Sequence, residues 1–401
     1  MIQKTNLIFI IPFLFLFSCC IDSEKDPLKD FVFVKDATIE GGIQEEGSTE
    51  SPGFVAGGTV EGATELGIVL KPEMVNVTGG IIEGEDYPWA PPKGNFPKGR
   101  RVQLSDFAIG KYEVTQEEYY SVMKDEVVSV TANVDGVGER TAEFFMDSRP
   151  SFCKPNNPPY HCFEGENQER RPVEGITFYD AIWYCNALSR KTGLEPVYKI
   201  KVTEVTSVNF SSHITNAEVE MIPGANGYRL PTLCEAEYAM RGGDPNAPDW
   251  DYLFSGAVSE PGRERYSINK GLDPVGWYQY NNKTGVSGTS DTDRENNTYY
   301  SYQGTHEVGL KKPNRLGLYD MSGNVSEYCY GKIDWELTSK IEYTGELEIN
   351  PVRIDETGNG RPSYGGSWRA GAGSAIVHSF PANNDSFSTA CTGFRVARSL
   401  K

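Results

Sequence analysis

The sequence predicts an α+β domain with few helices, short strands and long packed loops, and three observations carry that prediction. Short β-branched runs closed by glycine occupy the first ninety residues, three threonine-led helix starts follow, and beyond residue 244 the chain is rich in Gly, Asn, Asp and aromatics with few periodic segments. The 42 Gly, 24 Pro and 22 Tyr among 401 residues fit a loop-rich globular protein long enough for a substantial core. A formal charge of −18 excludes nucleic acid and anionic membrane surfaces as partners, since both demand basic patches.

The start of the chain is set apart from the fold. Lys4 precedes an apolar run from Leu7 to Phe17, too short to span a bilayer, so residues 1–18 read as a signal peptide. Leu16-Phe17-Ser18-Cys19 resembles a relaxed bacterial lipobox, with Phe17 bulkier than usual. Lipidation of Cys19 would anchor the protein to a membrane through buried methylenes, with residues 19–30 as tether; ordinary cleavage and release is the alternative. The expected location is a membrane-anchored lipoprotein of the outer membrane or cell surface.

Residues 31–71 carry short β-rich repeats: "FVFVKDATIEGG" at 31 and "FVAGGTVEG" at 54 are echoed by "MVNVTGGIIEGE" at 74. They suit small strands with tight turns, in a hairpin layer or a separate module. Next, Thr115-Gln-Glu-Glu118, Thr177-Phe-Tyr-Asp180 and Thr232-Leu-Cys-Glu235 each place a hydroxyl at a helix start and an acid three residues on, the pattern of a capping box. Gly193 and Gly242 stand where the latter two helices should stop.

No cysteines have paired C-x-x-C spacing, which disfavours zinc. Cys153 and Cys162 flank the loop "CKPNNPPYHC" and could form a local disulfide, whereas Cys185, inside a helical pattern, reads as a small buried hydrophobe. His161, His213, His306 and His378 are scattered, and a lone histidine is more often hydrogen-bonded than a metal ligand.

Five blocks stand in an order that resembles the formylglycine-generating-enzyme, or sulfatase-modifying factor, family: "FAIGKYEVTQEEYYSVM", "RPVEGITFYDAIWYCNALSRKTG", "YRLPTLCEAEYAMRGG", "EVGLKKPNRLGLYDMSGNVSEY" and "YGGSWRAGAG…GFRVARS". The resemblance covers roughly 72–401 and implies a C-type lectin-like fold. It also implies where catalytic residues should lie. The family's enzymes use two cysteines after the Gly-Gly-Ser-aromatic frame to bind copper, and those positions fall on Ala370 and Ala375. Soft thiolates are what copper(I) requires, so no copper and no catalysis are expected, and Cys391 is too distant in sequence to restore the pair. The resemblance further implies a calcium loop, with side-chain oxygens from Asp320 and Glu327 and carbonyls from Gly323 and Val325; a plain turn with nothing bound is the alternative.

The tail between the two frames is the most informative stretch. From Arg369 to Thr392 there is no Lys, Glu, Gln, Met or Trp, the five residue types that codons ending in a pyrimidine do not encode. Asn codons randomised at their adenines would give only the types present, as in a diversity-generating retroelement. The chain thus resembles Treponema-type variable lipoproteins, and residues 369–392 are expected to form a displayed ligand-binding patch. Its candidate residues are Ala370, Ser374, Ala375, Ile376, His378, Ser379, Phe380, Ala382, Asn383, Asn384, Ser386, Phe387, Thr389, Ala390, Cys391 and Thr392. Phe380, Phe387 and His378 are the expected anchors, and Trp368, Phe394 and Val396 the buried frame. The partner would be a protein or glycan, host or microbial. A structural envelope lipoprotein, or a residual oxidase, are the alternatives.

Overall fold

The computed structural model describes residues 68–86, 94–134, 138–155, 157, 160, 163, 165–208, 211–257, 269–282, 304–334, 342–355, 358, 360–380, 382–383, 386 and 388–400. The expected signal peptide, tether and first two repeats lie outside these residues, as do Cys162 and His161. The described residues 68–132 and those from 141 onward belong to one compact unit.

The third repeat does form two strands, β1 (Met74–Val77) and β2 (Gly80–Glu83), but they do not pair with each other. After β3 (Arg101–Leu104) and β4 (Phe107–Gly110), β1 lies antiparallel to β4 and β2 antiparallel to β3. The split is possible because Gly79 crosses the backbone of β3: a β-carbon there would sit 2.1 Å from the Leu104 carbonyl oxygen. One phrase of sequence therefore links two sheets, burying Val77 and Ile82 in the same core while Ile81 stays half exposed.

All three capping boxes form as expected. Helix α1 (Gln116–Met123) starts at Thr115, α2 (Phe178–Lys191) at Thr177 and α3 (Leu233–Met240) at Thr232, each with reciprocal side-chain and backbone bonds to the acid. Gly193 and Gly242 follow the last two helices with φ of 73° and 84°, the left-handed conformation that ends a helix. Between the helices stand two long hairpins, β5–β6 (Val127–Val134, Gly138–Phe145) and β7–β8 (Tyr198–Val208, Ser211–Met221). Their alternation in "VVSVTANV" and "YKIKVTEV" is a strand signal that helix-start reasoning passed over.

The rest of the chain supplies short strands at long range: β9 (Ser326–Tyr328), β10 (Leu347–Ile349), β11 (Arg361–Tyr364), β12 (Ala382–Asn383), β13 (Thr392–Gly393) and β14 (Ala397–Ser399). Strand order is β1-β4-β14 in one sheet, β10-β3-β2 in a second and β12-β11-β9-β13 in a third.

The C-terminal tail enters every core cluster. Phe394 and Val396 pack with α1 and α2, Phe394 edge-on to the stacked pair Tyr119–Tyr184. Tyr364, Val377 and Phe380 join the core under α3; Ala372 and Ala375 join Leu253, Leu272 and Tyr278; Trp368 and Ala390 pack with Cys153. The tail is as much a structural clasp as a surface.

Candidate functional site

The frame of the tail is fixed by backbone contacts that only glycine allows. Gly365 and Gly366 have φ of 88° and 66°, and a β-carbon on Gly366 would lie 2.8 Å from the Ser374 carbonyl group. The turn 366–375 is thereby folded back on itself. At its far end a β-carbon on Gly393 would meet the Val173 carbonyl oxygen at 2.4 Å.

Asn324 ties the frame to its surroundings. Held at φ 55°, its side chain donates to Glu113 Oε2 at 2.7 Å and accepts from the His306 N–H at 2.9 Å, while its carbonyl accepts from Trp368 N–H at 2.8 Å. Trp368 in turn donates from Nε1 to the Ala390 carbonyl at 2.8 Å and is 3% exposed, as its place in the frame predicts. His306 is stacked between Trp277 and Phe163 at 3.6 and 3.7 Å, its ring nitrogens on Glu166 and Asn282. Burial, against the pull of Glu166, lowers its pKa.

The positions of the family's catalytic cysteines are on the same turn. Ala370 is half-buried, its carbonyl accepting from Gln279 N–H at 3.0 Å; Ala375 is 1% exposed, its carbonyl accepting from the Ser322 hydroxyl at 2.9 Å. Neither can supply a thiolate. Among the described histidines, His213 is bound to Asp180, His306 is stacked as above, and His378 lies beside Gly94 within the fields of Glu237 and Arg241, so they do not converge.

The expected display face needs correction. Phe380 is 4% exposed, with its ring 5.7 Å from Tyr364 in the core under α3. His378 is 8% exposed and packs with its β-carbon against Gly94. Ala375, Ala390 and Thr392 are also buried. These residues were expected on a surface because the five missing residue types mark the tail as a diversified patch; the structure puts alternate parts of it inside, where they fill gaps between separate core clusters. The described tail positions with solvent access are Arg369, Ala370, Gly371, Gly373, Ser374, Ile376, Ser379, Ser386, Ser388, Thr389 and Cys391. The side chains of Ala382, Asn383, Asn384 and Phe387 lie outside the described residues.

The loop expected to hold calcium sits behind the frame in a buried charge cluster. Arg395 grips both Glu327 oxygens at 2.5 and 2.6 Å and donates to the carbonyls of Gly110 and Tyr319. Glu113 accepts from Val325 N–H and Asn324, and burial raises its pKa. Asp320, at φ 56°, accepts from Gly309 N–H on Oδ2 while its buried Oδ1 has no partner. Burial pushes the Asp320 pKa to about 6. Three carboxylates thus face one guanidinium, with one carboxylate oxygen unsatisfied. Those all-oxygen donors fit a hard cation. It would draw on Asp320 Oδ1 and the Gly323 and Val325 carbonyls, whereas both Glu327 oxygens are already held by Arg395, and among the described residues no three His, Cys, Asp or Glu side chains are grouped to hold a metal ion. Sequence reasoning missed Glu113 and Arg395, whose distance from this loop along the chain conceals them.

Cys185 is fully buried in the first core, as expected. Cys153 is a buried free thiol, and Cys162, its expected partner, lies outside the described residues.

Few helices, small sheets of short long-range strands and a glycine-framed C-terminal turn define the fold class expected from the five blocks. The chain matches the sulfatase-modifying factor enzyme 1-like domain over residues 64–400 and belongs to that family. It is 34% identical over 336 residues to the formylglycine-generating enzyme of Thermomonospora curvata, covering 81% of this chain and 92% of that protein. It is 35% identical over 278 residues to the chaperone protein LppX of Paenibacillus barcinonensis, covering 64% of this chain and 80% of that one. Among solved structures it is similar to Treponema denticola variable protein 1, with a TM-score of 0.54 and 26% identity, covering 82% of this chain and 95% of the other. No helix among the described residues is long and apolar enough to cross a membrane.

Proposed function

We propose that the protein is a non-catalytic, lipid-anchored binding protein whose ligand contacts come from the accessible part of the variable tail. The observation that carries this reading is alanine at both 370 and 375, on an otherwise intact family frame. A fold built to hold two soft ligands, lacking both, keeps the platform and loses the chemistry. The likeness to a variable protein supports the assignment of the tail to binding. Contacts would be made by Arg369, Ser374, Ile376, Ser379, Ser386 and Thr389, on a rigid base whose conformation the buried residues fix. A protein or glycan is the class of ligand; no fixed specificity is legible in a patch built to vary.

The test has a genomic and a biochemical arm. A nearly identical repeat near the gene, differing from the tail only at adenines and accompanied by a reverse transcriptase, is expected. On glycan and protein arrays, replacing Arg369, Ser379 and Thr389 together by alanine should change which probes bind while leaving the melting temperature in place. An unchanged binding profile with no such repeat would refute the reading. A structural or chaperone-like envelope role is the second reading, favoured by the burial of Phe380 and His378 and by the relative named a chaperone. For the residual-oxidase alternative, a cysteine peptide incubated with oxygen and added copper should remain unconverted.

A further inference from the structure

The tail carries one cysteine, Cys391, and the structure packs it against the small apolar cluster that contains Cys153 of a different loop. Both are held by the same short segment, 173–175. Glu174 accepts from the N–H groups of Cys153 at 2.8 Å and Phe152 at 3.0 Å, and Gly175 N–H donates to the Thr389 carbonyl at 3.0 Å. Gly393 lies against the Val173 carbonyl, fixing the turn from the other side. The Cys391 backbone is pinned again by Ser326 N–H on its carbonyl at 2.8 Å, and that of Cys153 by Gln168 Nε2 at 2.7 Å. Cys153 then packs with Trp368 and Ala390 in one small apolar cluster, and Cys391 closes its outer side. Both are free thiols, Cys153 fully buried and Cys391 partly exposed.

We propose that Cys153 and Cys391 form a disulfide when the protein meets a disulfide oxidant, locking the end of the variable tail onto the 152–154 loop. Cys391, the accessible one, would lose its proton to water and attack an external disulfide, releasing one thiol and leaving a mixed disulfide. Cys153 would then lose its proton to the Glu174 carboxylate and attack the Cys391 sulfur, releasing the second external thiol. Two protein thiols are oxidised and one external disulfide is reduced. Glu174 suits the second step: burial pushes its pKa to about 8, which makes it a stronger base than an ordinary carboxylate, and it lies against the Cys153 thiol. Burial also raises the Cys391 thiol to about 11, so closure should be slow at neutral pH and quicken in mild alkali. The inference is independent of whether the tail binds a ligand, because it concerns only how the tail is held.

The experiment uses the full chain and oxidised glutathione as the probe. After incubation in mild alkali, digestion without reductant should release a peptide pair joining the segments that contain Cys153 and Cys391, and the denatured protein should titrate two fewer thiols than the reduced sample. The oxidised form should melt higher than the reduced form, since the bond closes a long loop. Cys391→Ser, at a partly exposed position, should fold, lose the joined peptide and lose the rise in melting temperature. Recovery of Cys391 solely as a glutathione adduct, or of Cys153 joined to Cys162, would overturn the proposal.

Discussion

Truncating Phe380 to alanine separates a core residue from a displayed anchor. Its side chain is 4% exposed and shares the core under α3 with Tyr364, Val377 and Trp250. Removing a buried phenylalanine costs about 3–5 kcal/mol through lost transfer energy and the cavity left behind. The family domain spans residues 64–400, and at about 2.1 cal/mol/K per residue its unfolding entropy is about 0.7 kcal/mol/K. A loss of about 4 kcal/mol then lowers the melting temperature by about 6 °C. Calorimetry or circular-dichroism melting of Phe380→Ala beside the parent measures this directly, with Ser379→Ala as the neighbour whose partly exposed side chain should shift it by at most about 1 °C. If Phe380→Ala melts within about 1 °C of the parent, the packing account fails and Phe380 returns to the binding surface.

Other consequences follow from the charge clusters and the N-terminus. Burial pulls the His213 pKa down, but the bond to Asp180 and the nearby Asp147 outweigh it, so the folded pKa is raised. That stabilisation is fully present below the unfolded value of about 6.5 and is lost as pH rises through the folded value, so the melting gap between parent and His213→Ala should be widest in acid and narrow in alkali; a gap independent of pH would contradict it. Calcium well above its dissociation constant should stabilise the parent by a few kcal/mol, and Asp320→Ala should abolish the response to chelator; identical parent melting in calcium and chelator would leave the loop a turn. The parent should partition into detergent and Cys19→Ala into water, and equal partitioning would remove the lipid anchor.

The local features were legible in the sequence because their causes are local. Thr115, Thr177 and Thr232 cap helices where a hydroxyl and an acid three residues on satisfy the same few N–H groups, and Gly193 and Gly242 end helices because they tolerate positive φ. The missing thiolates at 370 and 375 were equally plain, since the absence of a chemical group needs no geometry. Which face of the tail meets water was not legible. Between Ser367 and Gly393 no period marks an inner side, and Phe380, His378 and Ala375 are buried by contacts with Tyr364, Gly94 and Leu253's cluster, all remote in sequence. The same holds for Glu113 and Arg395, joined to Glu327 and Asn324 from opposite ends of the domain. Propensity and capping act over a few residues, whereas burial is decided by which distant segments close over a side chain, and only the tertiary structure brings those segments together.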